Sequence, residues 1–241
     1  MYYNNPGLGS MTTPAVKNLL LASVAVFLFQ EFIAYNLNDV LIWMLPEAYH
    51  FEVRNLQPFD PITAFDLIFG LVPYLVATKL YIWQLTTYMF LHGGFWHIVM
   101  NMFVLWMFGC ELERSWGTKE FIKYYFLTGT IAGLTIFIWN WGSFVPTIGA
   151  SGAVFGILIA YAMFFPDREI YVYFLFPIKA KYFVLIIGIF EFMALPQQDG
   201  ISHIGHLGGL VAGFFYLRQK YSHWGIGQNF LKDFFKKKDR W

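Results

Sequence analysis

The chain has 241 residues, of which 58% are hydrophobic, 22% aromatic and only 13% charged. Soluble domains carry roughly a quarter charged residues, so composition excludes that class and points to a membrane-embedded protein. A net charge of +1 leaves no basic footprint for nucleic acid, and the single cysteine, Cys110, excludes an internal disulfide and weakens any thiolate metal site.

Hydropathy taken along the chain predicts six spans, near 18–37, 95–112, 120–140, 149–165, 180–195 and 202–219. The fold class expected is an all-α membrane protein. A cytoplasmic segment 1–17 precedes a six-span core 18–219, and a basic, aromatic cytoplasmic tail 220–241 follows. No basic run or small-residue cleavage site flanks the first span, which reads as a retained anchor. The stretch 61–78 (PITAFDLIFGLVPYLVAT) is apolar but carries Asp66, Gly70 and Pro73. It reads as a partly membrane-inserted piece of a long outer loop between the first and second helices. Residues 170–178 (IYVYFLFPI) are also apolar but too short to span. The fourth and fifth spans are short for a bilayer, which fits local thinning or burial within the bundle.

Lys and Arg orient the bundle. With six spans, all of them except Arg54 and Lys79 fall on one side, which places both termini in the cytoplasm. In the tail, Phe230, Leu231, Phe234 and Phe235 alternate with Lys232, Lys236, Lys237 and Lys238. That mixture suits a helix on an anionic leaflet, or a basic end that only sets topology.

In this topology the second, fourth and sixth spans all enter from outside. His92 and His97, Ser151, and His203 with His206 therefore share one outer level. Ionisable groups at membrane depth are costly and mark cavities or chemistry. Gly205, Gly209 and Gly213 recur four apart on the sixth span, and Gly152 and Gly156 on the fourth, so helix backbones can approach closely there. A serine hydroxyl needs a neighbouring base, and histidine suits that role near neutral pH. Ser151 at a helix N-terminus also gains free backbone N–H groups that can hold an oxyanion. His97 and Asn101, four apart on one helix face, can add side-chain donors. The nearest acids are Glu191 and Asp199. Neither has a helical spacing that orients the His206 ring, so a dyad without a third acid is expected.

The run HGGFWHIVMN (His92 to Asn101), the motif Gly149-Ala150-Ser151-Gly152, and His206-Leu207-Gly208-Gly209 with Gly213 resemble the rhomboid intramembrane proteases, over roughly residues 80–215. The resemblance implies a six-helix rhomboid bundle of bacterial type, with Ser151 as nucleophile and His206 as base. It further implies an oxyanion hole of the Ser151 amide, His97 and Asn101, with Gly149, Gly152, Phe155 and His92 in support. Phe155, often Tyr in the family, would pack on the base, and Glu113 would have a structural role at the inner end of the second span. The hinged fifth helix would carry a substrate gate at Phe183, Phe190 and Phe192, with a cap loop at 196–201. No cofactor or metal is implied. The clients would be single-pass membrane proteins, cut within or beside their spans in a bacterial plasma membrane, at a site opening to the outer side. Trp83-Gln84 departs from the family's Trp-Arg pair, which puts that arginine's anchoring contacts in question.

Plainer readings stand beside these. Ser151 could be a packing residue, Asn101 an interhelical bridge, His92 a loop fastener and His203 an outward-facing group. His50 and His223 read as solvated or interfacial. Two rivals differ in class: a metal hydrolase built on His92, His97, His203 and His206, which has neither HExxH nor an acid among its ligands, and an inactive rhomboid-like protein that binds client spans. A soluble-type serine hydrolase is excluded because Ala153 breaks G-x-S-x-G.

Overall fold

A computed structural model of the chain describes residues 12–50, 54, 62–172, 175–197 and 200–221. The readings of the tail (222–241), of His223 and of Asp199 lie outside these residues, as do the first eleven positions. The elements in order are α1 (Pro14–Phe32), α2 (Ala64–Phe69), α3 (Pro73–Lys79), α4 (Phe95–Trp116), α5 (Thr118–Trp139), α6 (Ser151–Phe164), β1 (Glu169–Val172), β2 (Phe176–Lys179), α7 (Ala180–Ala194) and α8 (His203–Lys220). Among the described residues, α1, α4 and α5 are long and apolar enough to cross a membrane, and α6 is a shorter apolar helix.

α6 is the axis of the molecule. All of its residues except Ser151, Phe155 and Phe164 are buried. An apolar face all round is what a helix enclosed by others requires, so burial accounts for the shortness of α6. Its contact with α8 is the tightest in the bundle. A Cβ at Gly209 would collide with the Gly152 carbonyl, so the two backbones touch where glycine alone fits. Gly205 faces Ile136 of α5 in the same way, and Gly156 faces Thr128. At the other end of α4, Glu113 accepts the N–H groups of Ala15 (2.9 Å) and Val16 (3.0 Å), capping α1 behind its Pro14.

Three expectations need correction. The first predicted span ran to residue 37, but α1 ends at Phe32 and a 3-10 turn over Ala34–Leu37 follows. Asn38 there turns its side chain to accept the Ala64 N–H at 2.9 Å, so polar side chains compete with continued helix. The fold is mostly helical and not all-α, because β1 and β2, which hold 170–172 and 176–178, pair antiparallel, Glu169 with Lys179 and Val172 with Phe176. Branched and aromatic residues favour a strand over a helix too short to nucleate. Asp167 closes its base, 3.0 Å from Lys179 and 3.2 Å from Lys181. The hydrogen bond from Lys179, followed by that from Lys181, holds its carboxyl below the usual range.

Third, where the absent arginine put the loop's anchoring in question, Gln84 supplies anchors of its own. Gln84 is fully buried. Its Oε1 accepts the Val72 N–H (3.0 Å), while its Nε2 donates to the carbonyls of Leu67 (2.8 Å) and Ile68 (3.1 Å). Trp83 Nε1 donates to Ile68 as well, at 2.9 Å. Within the apolar stretch lie two short helices, α2 and α3, broken at Gly70–Val72, where Leu71 and Thr147 exchange backbone hydrogen bonds.

Candidate active site

Ser151 is the first residue of α6, so the N–H groups of its first turn have no carbonyl partner within the helix. The Gly149 backbone ahead of it has φ +130°, a left-handed conformation that favours glycine. A Cβ there would lie 2.7 Å from His97 Nε2 and 3.8 Å from Ser151 Oγ. Both polar atoms therefore face the same spot above Gly149.

His206 comes from the first turns of α8, carried alongside α6 by the Gly209–Gly152 contact. Its Nε2 lies 2.6 Å from Ser151 Oγ. The Phe155 ring stacks on the imidazole, with centroids 4.3 Å apart and planes 6° apart. On the far side of the ring, Nδ1 lies 2.9 Å from Glu191 Oε2, and the same oxygen is 2.7 Å from His203 Nδ1. The expectation of a base with no acid partner is thereby corrected. Glu191 lies fifteen positions before His206 and on another helix, so spacing within one helix could not reveal the contact. The available signal was a single carboxylate inside the apolar run of α7, which by default marks function.

Hydrogen bonds also assign the tautomers. An ionised carboxylate only accepts, so His206 Nδ1 carries the proton and Nε2 turns its lone pair to the Ser151 hydroxyl. At His97 the reverse holds. The Gly93 N–H donates to Nδ1 (3.2 Å), leaving Nε2 as the protonated nitrogen that faces Gly149. One imidazole is thus poised to accept a proton and the other to donate a hydrogen bond. Asn101 is buried and lines the same cavity, though its Nδ2 gives one hydrogen to the His97 carbonyl at 2.9 Å.

His92 sits at the approach to α4. Its ring Nδ1 lies 3.2 Å from the Phe90 carbonyl, and its backbone N–H donates to Gln30 (3.0 Å), whose amide reaches Asp66 (2.7 Å). Burial, with the nearby His97 ring adding, pushes the His92 imidazole down to about 4. A depressed histidine stabilises the fold above the unfolded value near 6.5, and that contribution is lost as pH falls towards 4. We expect the melting midpoint in detergent to fall over this window, as the unfolding free energy drops by on the order of 3 kcal/mol at full extent. His92→Gln should flatten the difference, and parallel pH curves for the two proteins would contradict it.

A cavity of about 1630 Å³ runs from Ser151, His97 and His206 past Phe103 and Leu158 to Glu111 and Arg168, which pair at 2.8 Å. Of the expected gate residues, Phe183 lines it. Phe190 and Phe192, 66% and 68% exposed, do not. His50 lies apart, 3.0 Å from the Leu45 carbonyl. The four-histidine metal set is split: His92 and His97 stand together with rings 5.2 Å apart, while His203 and His206 share Glu191, all three ligand atoms lying within 4.8 Å of one another.

The family description that matches is the Rhomboid domain, over residues 79–221. Among similar proteins, Rhomboid protein 1, mitochondrial, of Saccharomyces cerevisiae is 27% identical over 231 residues, covering 90% of this chain and 59% of its own length. Rhomboid protease GluP of Bacillus subtilis is 34% identical over 134 residues, covering 55% of this chain and 25% of its own. RHOMBOID-like protein 6, mitochondrial, of Arabidopsis thaliana is 33% identical over 144 residues, covering 59% and 46%. The chain thus spans at most 59% of the length of these relatives. They include mitochondrial and bacterial proteins, so the comparisons do not narrow the chain to a bacterial type.

Proposed function

The chain belongs to the rhomboid family, and from that premise we propose that it is an intramembrane serine endopeptidase cutting single-pass membrane proteins within or beside their spans. The observation that carries this reading is the 2.6 Å approach of His206 Nε2 to Ser151 Oγ, with the nitrogen's lone pair aimed at the hydroxyl. Ser151 attacks the scissile carbonyl as His206 accepts its proton. The oxyanion sits above Gly149, held by the Ser151 amide and His97 Nε2–H, with Asn101 beside them. His206 returns the proton to the leaving amine, and a water entering from the outer side then hydrolyses the ester. Given six spans, the Lys and Arg distribution puts both termini in the cytoplasm. The cavity beneath Ser151 suits an unwound client segment.

A metal hydrolase has one observation in its favour, the Glu191–His203–His206 cluster, but it leaves the Ser151–His206 contact without a role. The two readings separate in one experiment. The purified protein is incubated with a fluorogenic single-pass peptide, with and without a chelator, and separately with an alkyl fluorophosphonate. Chelator-resistant cutting and covalent labelling of Ser151 are expected; cutting abolished by chelator would overturn the serine mechanism. A wild type inert in both assays would favour the inactive client-binding protein.

A further inference from the structure

We infer that Glu191 is a positioning residue for the His206 base, held in place from its other side by His203, so that the Ser151–His206 pair works as the outer part of a Ser–His–Glu relay. The inference rests on the serine-peptidase reading above and concerns what prepares its base.

The cluster joins two helices. Glu191 projects from α7, whereas His203 and His206, one turn apart, project from α8. One carboxylate oxygen receives both imidazoles, at 2.7 and 2.9 Å, which two lone pairs permit. The Glu191 side chain is only 15% exposed, although its neighbours Phe190 and Phe192 face outward. A carboxylate turned inward from an apolar helix is expensive unless paired. Its partner here is the nitrogen whose protonation fixes the reactive tautomer. Besides the stacked Phe155 ring, His206 meets Ser151 from α6 and Glu191 from α7, with His203 on its own helix and His97 on α4 across the cavity. Glu191 is the one anion among them.

The chemistry follows from that charge. When Oγ forms its bond to the carbonyl carbon, the hydroxyl proton passes to His206 Nε2 and the ring becomes a cation. Glu191 remains ionised throughout and stabilises that cation through the Nδ1–H bond, as the buried acid of a serine triad does. When the C–N bond breaks, the same proton leaves Nε2 for the amine. His203 contributes by donating to the shared oxygen, so the carboxylate cannot rotate away from His206.

The full chain in detergent, as wild type, Glu191→Gln and Glu191→Asp, tests this with the fluorogenic peptide, the fluorophosphonate and proton NMR of the imidazole N–H region. Loss of a charge-assisted hydrogen bond predicts that Glu191→Gln lowers kcat and the labelling rate together, by about 10- to 100-fold, with KM held. The low-field Nδ1–H resonance that disappears in His206→Ala should also be lost in Glu191→Gln. Glu191→Asp, which keeps the charge, should recover part of both rates. If Glu191→Gln does not fold, Glu191→Asp decides, with intermediate rates and a displaced resonance expected. Wild-type kcat and labelling in either folded variant, or a change in KM alone, would overturn the inference and leave Glu191 as a clamp between α7 and α8. A wild type that neither labels nor cuts would instead fail the peptidase reading and take this inference with it.

Discussion

Ser151→Ala should abolish cleavage, with a fall in kcat of about 10⁴-fold or more. The fold should survive, because Ser151 is small, half-buried and at the very start of α6, where alanine causes no clash. His206→Ala should cost a similar factor, since removing the base leaves the hydroxyl as unreactive as free serine. The two effects should not add: the double variant is expected to be no slower than either single one, as in other nucleophile–base units. Single-turnover cleavage of a fluorogenic single-pass peptide measures all three. Near-wild-type cutting by Ser151→Ala would sink the mechanism outright. An additive double variant would instead show that the two side chains act in separate steps, against the 2.6 Å contact.

Gly209→Ala should be the most damaging single methyl in the bundle. Its Cβ would meet the Gly152 carbonyl, which is backbone and cannot swing aside. Overpacking into yielding side chains costs about 1–3 kcal/mol, and a rigid obstacle places this substitution at or beyond the upper end. Relief requires α8 to move away from α6, which would part His206 from Ser151. The expected result is a lower melting midpoint together with loss of fluorophosphonate labelling. Gly188→Ala is the matched control. Its Cβ would sit 3.5 Å from Leu210 Cδ1, an ordinary contact, and alanine is the better helix former. A Gly209→Ala protein that melts and labels like wild type would show that the helices are less closely locked than their backbones indicate.

How far the sequence could be read depended on whether a residue's partner was signalled locally. The convergence of His97, Ser151 and His206 was legible because the topology expected from hydropathy put the first turns of their helices at one level, and flanking glycines marked the close approach. The tautomers were not, since they depend on the Gly93 N–H and on Glu191, a loop amide and a carboxylate from other parts of the chain. Glu191 has no helical spacing that ties it to His206, and the contact that matters crosses from α7 to α8. The apolar run 170–178 carried a composition that suits strand and membrane alike, and only pairing across the turn settles it as a hairpin. At Gln84 the comparison with an arginine misled. What the loop requires is one acceptor and one two-hydrogen donor, and an amide provides both.

That amide has a consequence for the protein's surroundings. A guanidinium fastening this loop would bring a full charge, for which dissolved ions and anionic headgroups compete. Gln84 holds Val72, Leu67 and Ile68 through neutral dipoles in a fully buried position. The loop over this bundle is therefore insulated from ionic strength, and its seat should be the same in dilute buffer, in concentrated brine and beside either kind of lipid.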